Sequence, residues 1–235
     1  MARYVKFFGL GGGTDGFITG SCNDIQTTSY LQANGPEANI NVAIIPKGTG
    51  AIVAACPDGT AVGGNARGQY AVDLQMVRTS NTKVASGLRN SILSGIDNLN
   101  SGKESVIGGG SSNTITQERS FIGSGFNNNI SGGQSVINGG VNNNVSGLYT
   151  IVGGGASNNA SSNYSTISGG QNNTASTYTH ATVVGGSTNT SSGQYSVSGG
   201  WVNVASGFAS VSLGRNCNST GAYSVALGGY CRANG

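Results

Sequence analysis

The chain has 235 residues, with 42 glycines, 3 prolines, 8% charged and 36% hydrophobic residues, well away from the averages of a soluble domain. Its one histidine, His180, excludes a multi-histidine metal site, and the acidic residues end at Glu118, so the second half carries no carboxylate for acid or base work. The net charge of +3 comes from scattered Lys and Arg without the basic stripe of a nucleic-acid footprint, and no stretch is long and apolar enough to cross a bilayer.

Residues 1–37 read as an N-terminal attachment segment: a short apolar strand from Tyr4 to Phe8, a glycine turn, then two weak strands. The opening MARYVKFFGLGGG has an apolar run shorter than a signal-peptide h-region. The G-x-G-x-x-G at Gly11, Gly13 and Gly16 is followed by FITGS rather than a helix, so it is read as chance in a glycine-rich chain. Residues 38–69 form a β-hairpin region: Ile40, Val42 and Ile44 alternate, Pro46-Lys47-Gly48 turns the chain into Ala51-Ile52-Val53, and Asp58-Gly59 marks the next turn. Residues 70–89 are an adaptor and first coil, in which VDLQMVR alternates at period two and NTKVASG (81–87) already has the second half of a repeat.

From residue 90 to 235 one motif returns, S-x-I-x-G-G-x-x-N-x-x-S-G, as in SVINGGVNNNVSG (135–147). Its asparagine column runs Asn98, Asn113, Asn128, Asn143, Asn158, Asn173, Asn189 and Asn203, in steps of 15, then 16, then 14. So short a period excludes a helix pair, and glycine at this density costs about 1 kcal/mol per helical site, so each period is one coil of a β-solenoid. Two apolar columns face inward: Ile92, Ile107, Ile122, Ile137, Val152, Ile167 and Val183 in the first strand, and Leu99, Ile115, Ile130, Val145, Ala160, Ala175 and Ala205 in the second. Gly-Gly pairs such as Gly139-Gly140 supply corners, and the asparagine column bonds along itself. Coils stacked at roughly 4.8 Å make a short rod. With so few large apolar residues per coil, self-association is the expected remedy, although periodicity does not choose three chains over two.

The C-terminal units SVSLGRNCNSTGAYSVALGGYCRANG (210–235) resemble the head repeats of trimeric autotransporter adhesins. Cys217 and Cys231 stand where that family usually has a small residue. Upstream, NINVAIIPKGTGAIVA (39–54) and GGNARGQYAVDLQMVRTSNTKVASG (63–87) resemble the region preceding such repeats in phage tail fibre and tail spike proteins. The resemblance implies an all-β, homotrimeric, left-handed parallel β-roll of 14–16-residue coils with a small N-terminal β region. It further implies a virion fibre that docks on tail or baseplate proteins at its N-terminal end and meets a host-surface glycan or protein receptor. A C-terminal chaperone removed by self-cleavage after Gly235 belongs to the same picture. Alternatives are a fragment of a bacterial cell-surface adhesin, which is expected to need an export signal and an anchor, and a purely structural spacer. No enzyme activity, cofactor, nucleic-acid partner or membrane insertion is expected.

Receptor-binding candidates are Trp201 and Phe126, which follow the Gly-Gly corner, where either glycan stacking or packing between subunits would suit them. Tyr178 and His180 lie in the only 16-residue coil, whose extra residue is expected to bulge outward as a contact patch or a tolerated insertion. Tyr149, Tyr164, Tyr195 and Tyr223 share one repeat position and are expected to form an aromatic ladder that stiffens the rod. Cys217 and Cys231, one coil apart with side chains pointing the same way, are expected to be buried free thiols.

Overall fold

The computed structural model describes residues 17–21, 29–33, 44 and 46–234. The expected Tyr4–Phe8 strand, the Gly11–Gly16 turn and the first arm of the hairpin at 38–43 lie outside these residues. The chain divides into a unit of residues 1–45 and a unit of residues 46–235. In the first, strand β1 (Phe17–Ser21) pairs antiparallel with β2 (Ser29–Ala33), with Phe17 opposite Ala33.

The second unit is an all-β parallel β-solenoid of about 11 turns of roughly 15 residues. Strand β3 (Ile52–Val53) pairs in parallel with β4 (Val72–Asp73), and β4 with β5 (Ser91–Ile92), opening a 12-stranded sheet to which each later coil adds one strand up to Val225–Gly229. A 10-stranded parallel sheet runs beside it from Leu99–Asn100 to Arg232–Ala233. A third ladder of single parallel bridges joins Val77, Ile96, Ser111, Phe126, Val141, Ala156, Gln171 and Ser187, and continues through Trp201 to Arg215.

The first inner column is as expected: Ile92, Ile107, Ile122, Ile137, Val152, Ile167 and Val183 are fully buried, each isoleucine contributing about 1.5–3 kcal/mol. The second column needs one correction. Leu99 pairs with Thr114 on the outward side, while Asn100, level with Ile115, takes the buried position and donates through Nδ2 to the carbonyls of Ser91 and Ser105. Both columns then shrink towards the C-terminal end, to Ser198, Ser212 and Ala226 in one and Ser191, Ala205 and Ser219 in the other. Coil length follows core size. Val141 lies four residues after the inward Ile137, but Trp201 lies three after Ser198, and the register between neighbouring strands shifts between Val183 and Gly186. In the shortened coils strands Val197–Trp201, Val211–Arg215 and Val225–Gly229 run on through the corner, where Gly200, Gly214 and Gly228 keep a positive φ.

Between the two strand columns, Asn98, Asn113, Asn128, Asn143, Asn158, Asn173, Asn189 and Asn203 form a buried ladder. In each rung the Oδ1 accepts from the backbone N–H of the next residue of the column, as from Asn143 to Asn128 at 3.0 Å, and Nδ2 donates to two corner carbonyls, Gly139 at 3.1 Å and Gly155 at 3.0 Å for Asn143, with Ser94 and Ser124 in place of the first glycine for Asn98 and Asn128. A buried amide is stable only when its donors and acceptor are used, and here coil stacking satisfies them. The left-handed backbone falls on the preceding residue, Asn142 at φ 56°, a conformation asparagine tolerates. Gln75 starts the ladder: its Oε1 accepts from Asn98 N–H at 3.0 Å and its Nε2 donates to Asn98 O at 2.9 Å.

The motif GNARGQYAVDLQ closes the N-terminal end of the coils. Asp73 is fully buried and its Oδ2 accepts from Arg67 Nε at 2.7 Å and Arg78 Nη2 at 3.2 Å. Arg78 also donates to the carbonyls of Val62, Gln75 and Lys83, and Arg67 to those of Gly63 and Asn65. Strand β3 completes the backbone bonds of Ala71 and Asp73, and the buried guanidinium groups complete those of Val62, Gly63, Asn65, Gln75 and Lys83.

Candidate functional site

Three surface features emerge from the repeat, each built by positions that recur once per coil. The first is the aromatic ladder. Tyr149, Tyr164 and Tyr195 hold left-handed backbone at φ 57–59°, and their N–H groups donate to the coil before, as Tyr164 does to Leu148 O at 2.8 Å. Such backbone costs about 1–2 kcal/mol for a bulky residue, offset by that bond and by ring stacking. Tyr149 and Tyr164 stack at 5.0 Å with planes 2° apart.

His180 belongs to this ladder rather than to the bulge. It stacks 4.9 Å from Tyr164 and 4.9 Å from Tyr195, and its N–H donates to Asn163 O in the same register as its tyrosine neighbours. The extra residue of the 16-residue coil is absorbed at 176–179, where Thr177 has φ 71° and Tyr178 turns outward. Because the rings of Tyr164 and His180 are stacked on both faces, they offer a ligand only their edges, while Tyr149 ends the stack with one face covered by Tyr164.

Near the C-terminal end the ladder changes orientation. Phe208 lies edge-on to Tyr195, planes 89° apart and centroids at 5.8 Å, and again steeply inclined to Tyr223 at 76°. Phe208 and Tyr178 wall a shallow groove of about 370 Å³ whose polar lining includes Gln194, Ser206 and Thr220. Tyr178 is 58% exposed, so the groove opens to solvent.

The third feature lies on the bridge ladder. Trp201, 46% exposed, is directly opposite Arg215 in the next coil, whose guanidinium carbon sits 4.5 Å from the indole centroid and 5.5 Å from that of Tyr230. Phe126, 51% exposed, stands on the same ladder five rungs away, about 24 Å at the usual strand spacing. Trp201 and Phe126 therefore do not share a site. Residue types alone hid Arg215 and Tyr230 as neighbours of Trp201, although the 14-residue step from 201 to 215 places the arginine beside it.

Cys217 and Cys231 are free thiols at the next two rungs above Asn203, with Cys217 buried and Cys231 half-buried rather than enclosed. Cys217 Sγ lies 3.1 Å from Gly228 O, and the hydrogen bond with Cys217, aided by desolvation and by charge repulsion from it, raises the Cys231 thiol above its usual range. At the other end, Glu104 bridges coils by accepting from Arg89 at 2.6 Å and Arg119 at 3.2 Å on the exposed corner. Desolvation raises the Glu104 carboxyl, but the Arg119 hydrogen bond and the charges of Lys103 and Arg89 outweigh it and hold the group below the usual carboxylate range. Among the described residues no three His, Cys, Asp or Glu side chains gather as metal ligands, and no helix is long and apolar enough to cross a membrane.

No family model matches the chain and no curated protein is similar to it, so its geometry defines it as a parallel β-solenoid repeat protein of about 11 turns.

Proposed function

We propose that this protein is the shaft or head of a virion fibre, a phage-type tail fibre or spike, which projects from the particle and mediates attachment to the host surface. It binds rather than catalyses. The observation that carries this reading is the outward column of the 12-stranded sheet, which is apolar at Val106, Phe121, Val136 and Ile151 and, after Thr166 and Thr182, again at Val197, Val211 and Val225. Phe121, Ile151 and Val225 on it are exposed in the single chain. A stripe of this kind in a monomer invites association, and a homotrimeric left-handed β-roll would bury it along one axis.

In that assembly the N-terminal unit docks on tail or baseplate proteins, and the exposed Trp201, Phe126 and Tyr178 meet a glycan or protein receptor, each weak contact presented three times. A second reading, a spacer that carries a separate tip, is favoured by the uniform 15-residue coils between Asn98 and Asn173. Adsorption of the labelled intact chain to a panel of bacterial cells separates the two. Saturable binding to particular strains, competed by unlabelled protein, supports attachment; no strain bound above the level of an inert protein of similar charge leaves the spacer.

A further inference from the structure

We propose that Trp201, Arg215 and Tyr230 form a binding site for a carboxylate-bearing saccharide. Arg215 is an exposed cation with no carboxylate to pair with: the sequence holds no Asp or Glu beyond Glu118, and no hydrogen bond joins its guanidinium to another described residue. A second and third copy packed in register would offer none either, for the same reason. Burying an unpaired guanidinium costs several kcal/mol, so this edge of the sheet stays at the rim of any self-association and open to solvent.

The side chain is nonetheless held in place. Trp201, Arg215 and Gly229 are successive partners of one parallel ladder, which fixes the arginine between neighbouring coils. Its guanidinium lies over the Trp201 ring at 4.5 Å and near Tyr230 at 5.5 Å. Both rings lie within cation–π range of it, and its N–H groups make no hydrogen bond to another described residue. A planar fork of donors, already ordered and without a counter-ion, matches a carboxylate in bidentate fashion. Trp201 and Tyr230, 46% and 70% exposed, flank that fork with apolar ring surface suited to the C–H face of a pyranose. An acid function beside an apolar sugar face is the chemistry of uronic and sialic acid residues. Neutral sugars would leave the arginine edge unpaired, and a free carboxylate would leave the rings bare.

The proposal deepens the attachment reading and rests on it only for where the ligand is found. Trp201 is the chain's single tryptophan, so its fluorescence reports occupancy without a label. The intact protein is titrated with oligosaccharides of galacturonate, glucuronate and N-acetylneuraminate, and with their methyl esters, which keep the sugar and remove the charge. We expect at least one free acid to perturb Trp201 saturably and to bind about tenfold or more tightly than its ester, with affinity falling as salt is added. Arg215→Gln should abolish the preference for the acid, and Arg215→Lys, which keeps the charge and loses the planar fork, should weaken it severalfold; both variants unfold at the parent's denaturant midpoint.

Equal binding of acid and ester, acid binding undiminished in Arg215→Gln, or no binding of any of the three acids would overturn the site. Cell adsorption separates the two claims: adsorption without acid-dependent binding overturns this site and leaves attachment standing, whereas acid-dependent binding without adsorption to any strain supports the site and removes attachment.

Discussion

Cys217 continues the asparagine ladder through its backbone, donating its N–H to Asn203 Oδ1 at 2.9 Å as each asparagine from Asn113 onward donates to its predecessor. Its thiol takes the place of an amide, facing Gly228 O, but sulfur is a weak donor. Cys217→Asn should therefore be accepted and raise stability by about 1 kcal/mol. Asn143→Ala, in the middle of the ladder, removes the acceptor for Asn158 N–H and the donors to two glycine carbonyls, and should cost about 2–3 kcal/mol. Denaturant midpoints of the two variants measure both effects.

The buried ion cluster predicts a larger loss. Asp73→Ala leaves Arg67 and Arg78 without their shared carboxylate in a site closed to water, at a cost of about 3–5 kcal/mol. Hydrogen exchange should show the loss confined at first to residues 62–100, the coils this cluster closes, while amides near Asn158 stay protected.

Neighbouring glycines at one corner should respond in opposite ways. Gly140 has φ 98°, and a Cβ there would collide with the Gly155 carbonyl of the next coil, so Gly140→Ala should cost about 3 kcal/mol or more. Gly139 is not left-handed, and the nearest atom to its Cβ position is Ser124 O at 3.6 Å. Gly139→Ala should be neutral or stabilising by about 0.5 kcal/mol through the unfolded chain. Thermal melts of the pair test this.

Acid should loosen two exposed points. Asp58 is held below the usual carboxylate range, first by the N–H of Thr60, then by its hydroxyl and the N–H of Gly63; Glu104 is held below it by the arginines of its network. A lowered folded value means each group's contribution is present above its unfolded value, near pH 4, and is lost as pH falls through the folded one. Stability should thus be flat near neutrality and decline below about pH 4. In Glu104→Gln the decline should be shallower, read as the denaturant midpoint against pH.

The coil register was legible because stacking forces one residue type to recur at one spacing: the isoleucine column and the asparagine ladder both follow from it. Features that change residue type within a column were hidden. Cys217 extends the ladder through its N–H with a thiol in place of the amide, Asn100 takes an inner position where Leu99 is the more apolar choice, and His180 substitutes for tyrosine after an insertion that displaces it by one residue. The Arg67–Asp73–Arg78 cluster falls where no period exists, so only the folded chain brings those residues together. Trp201 was visible as an exposed aromatic, but its chemistry depends on Arg215 and Tyr230, which the ladder supplies.

In the proposed trimer the apolar outer positions of the 12-stranded sheet, among them Phe121, Ile151 and Val225, are buried by two further copies of the chain. Native mass measured by sedimentation, before and after heating in detergent, tests it most directly. A trimer gives a heat-resistant species at three times the 23.4 kDa chain mass; a single species at one chain mass would rule the trimer out.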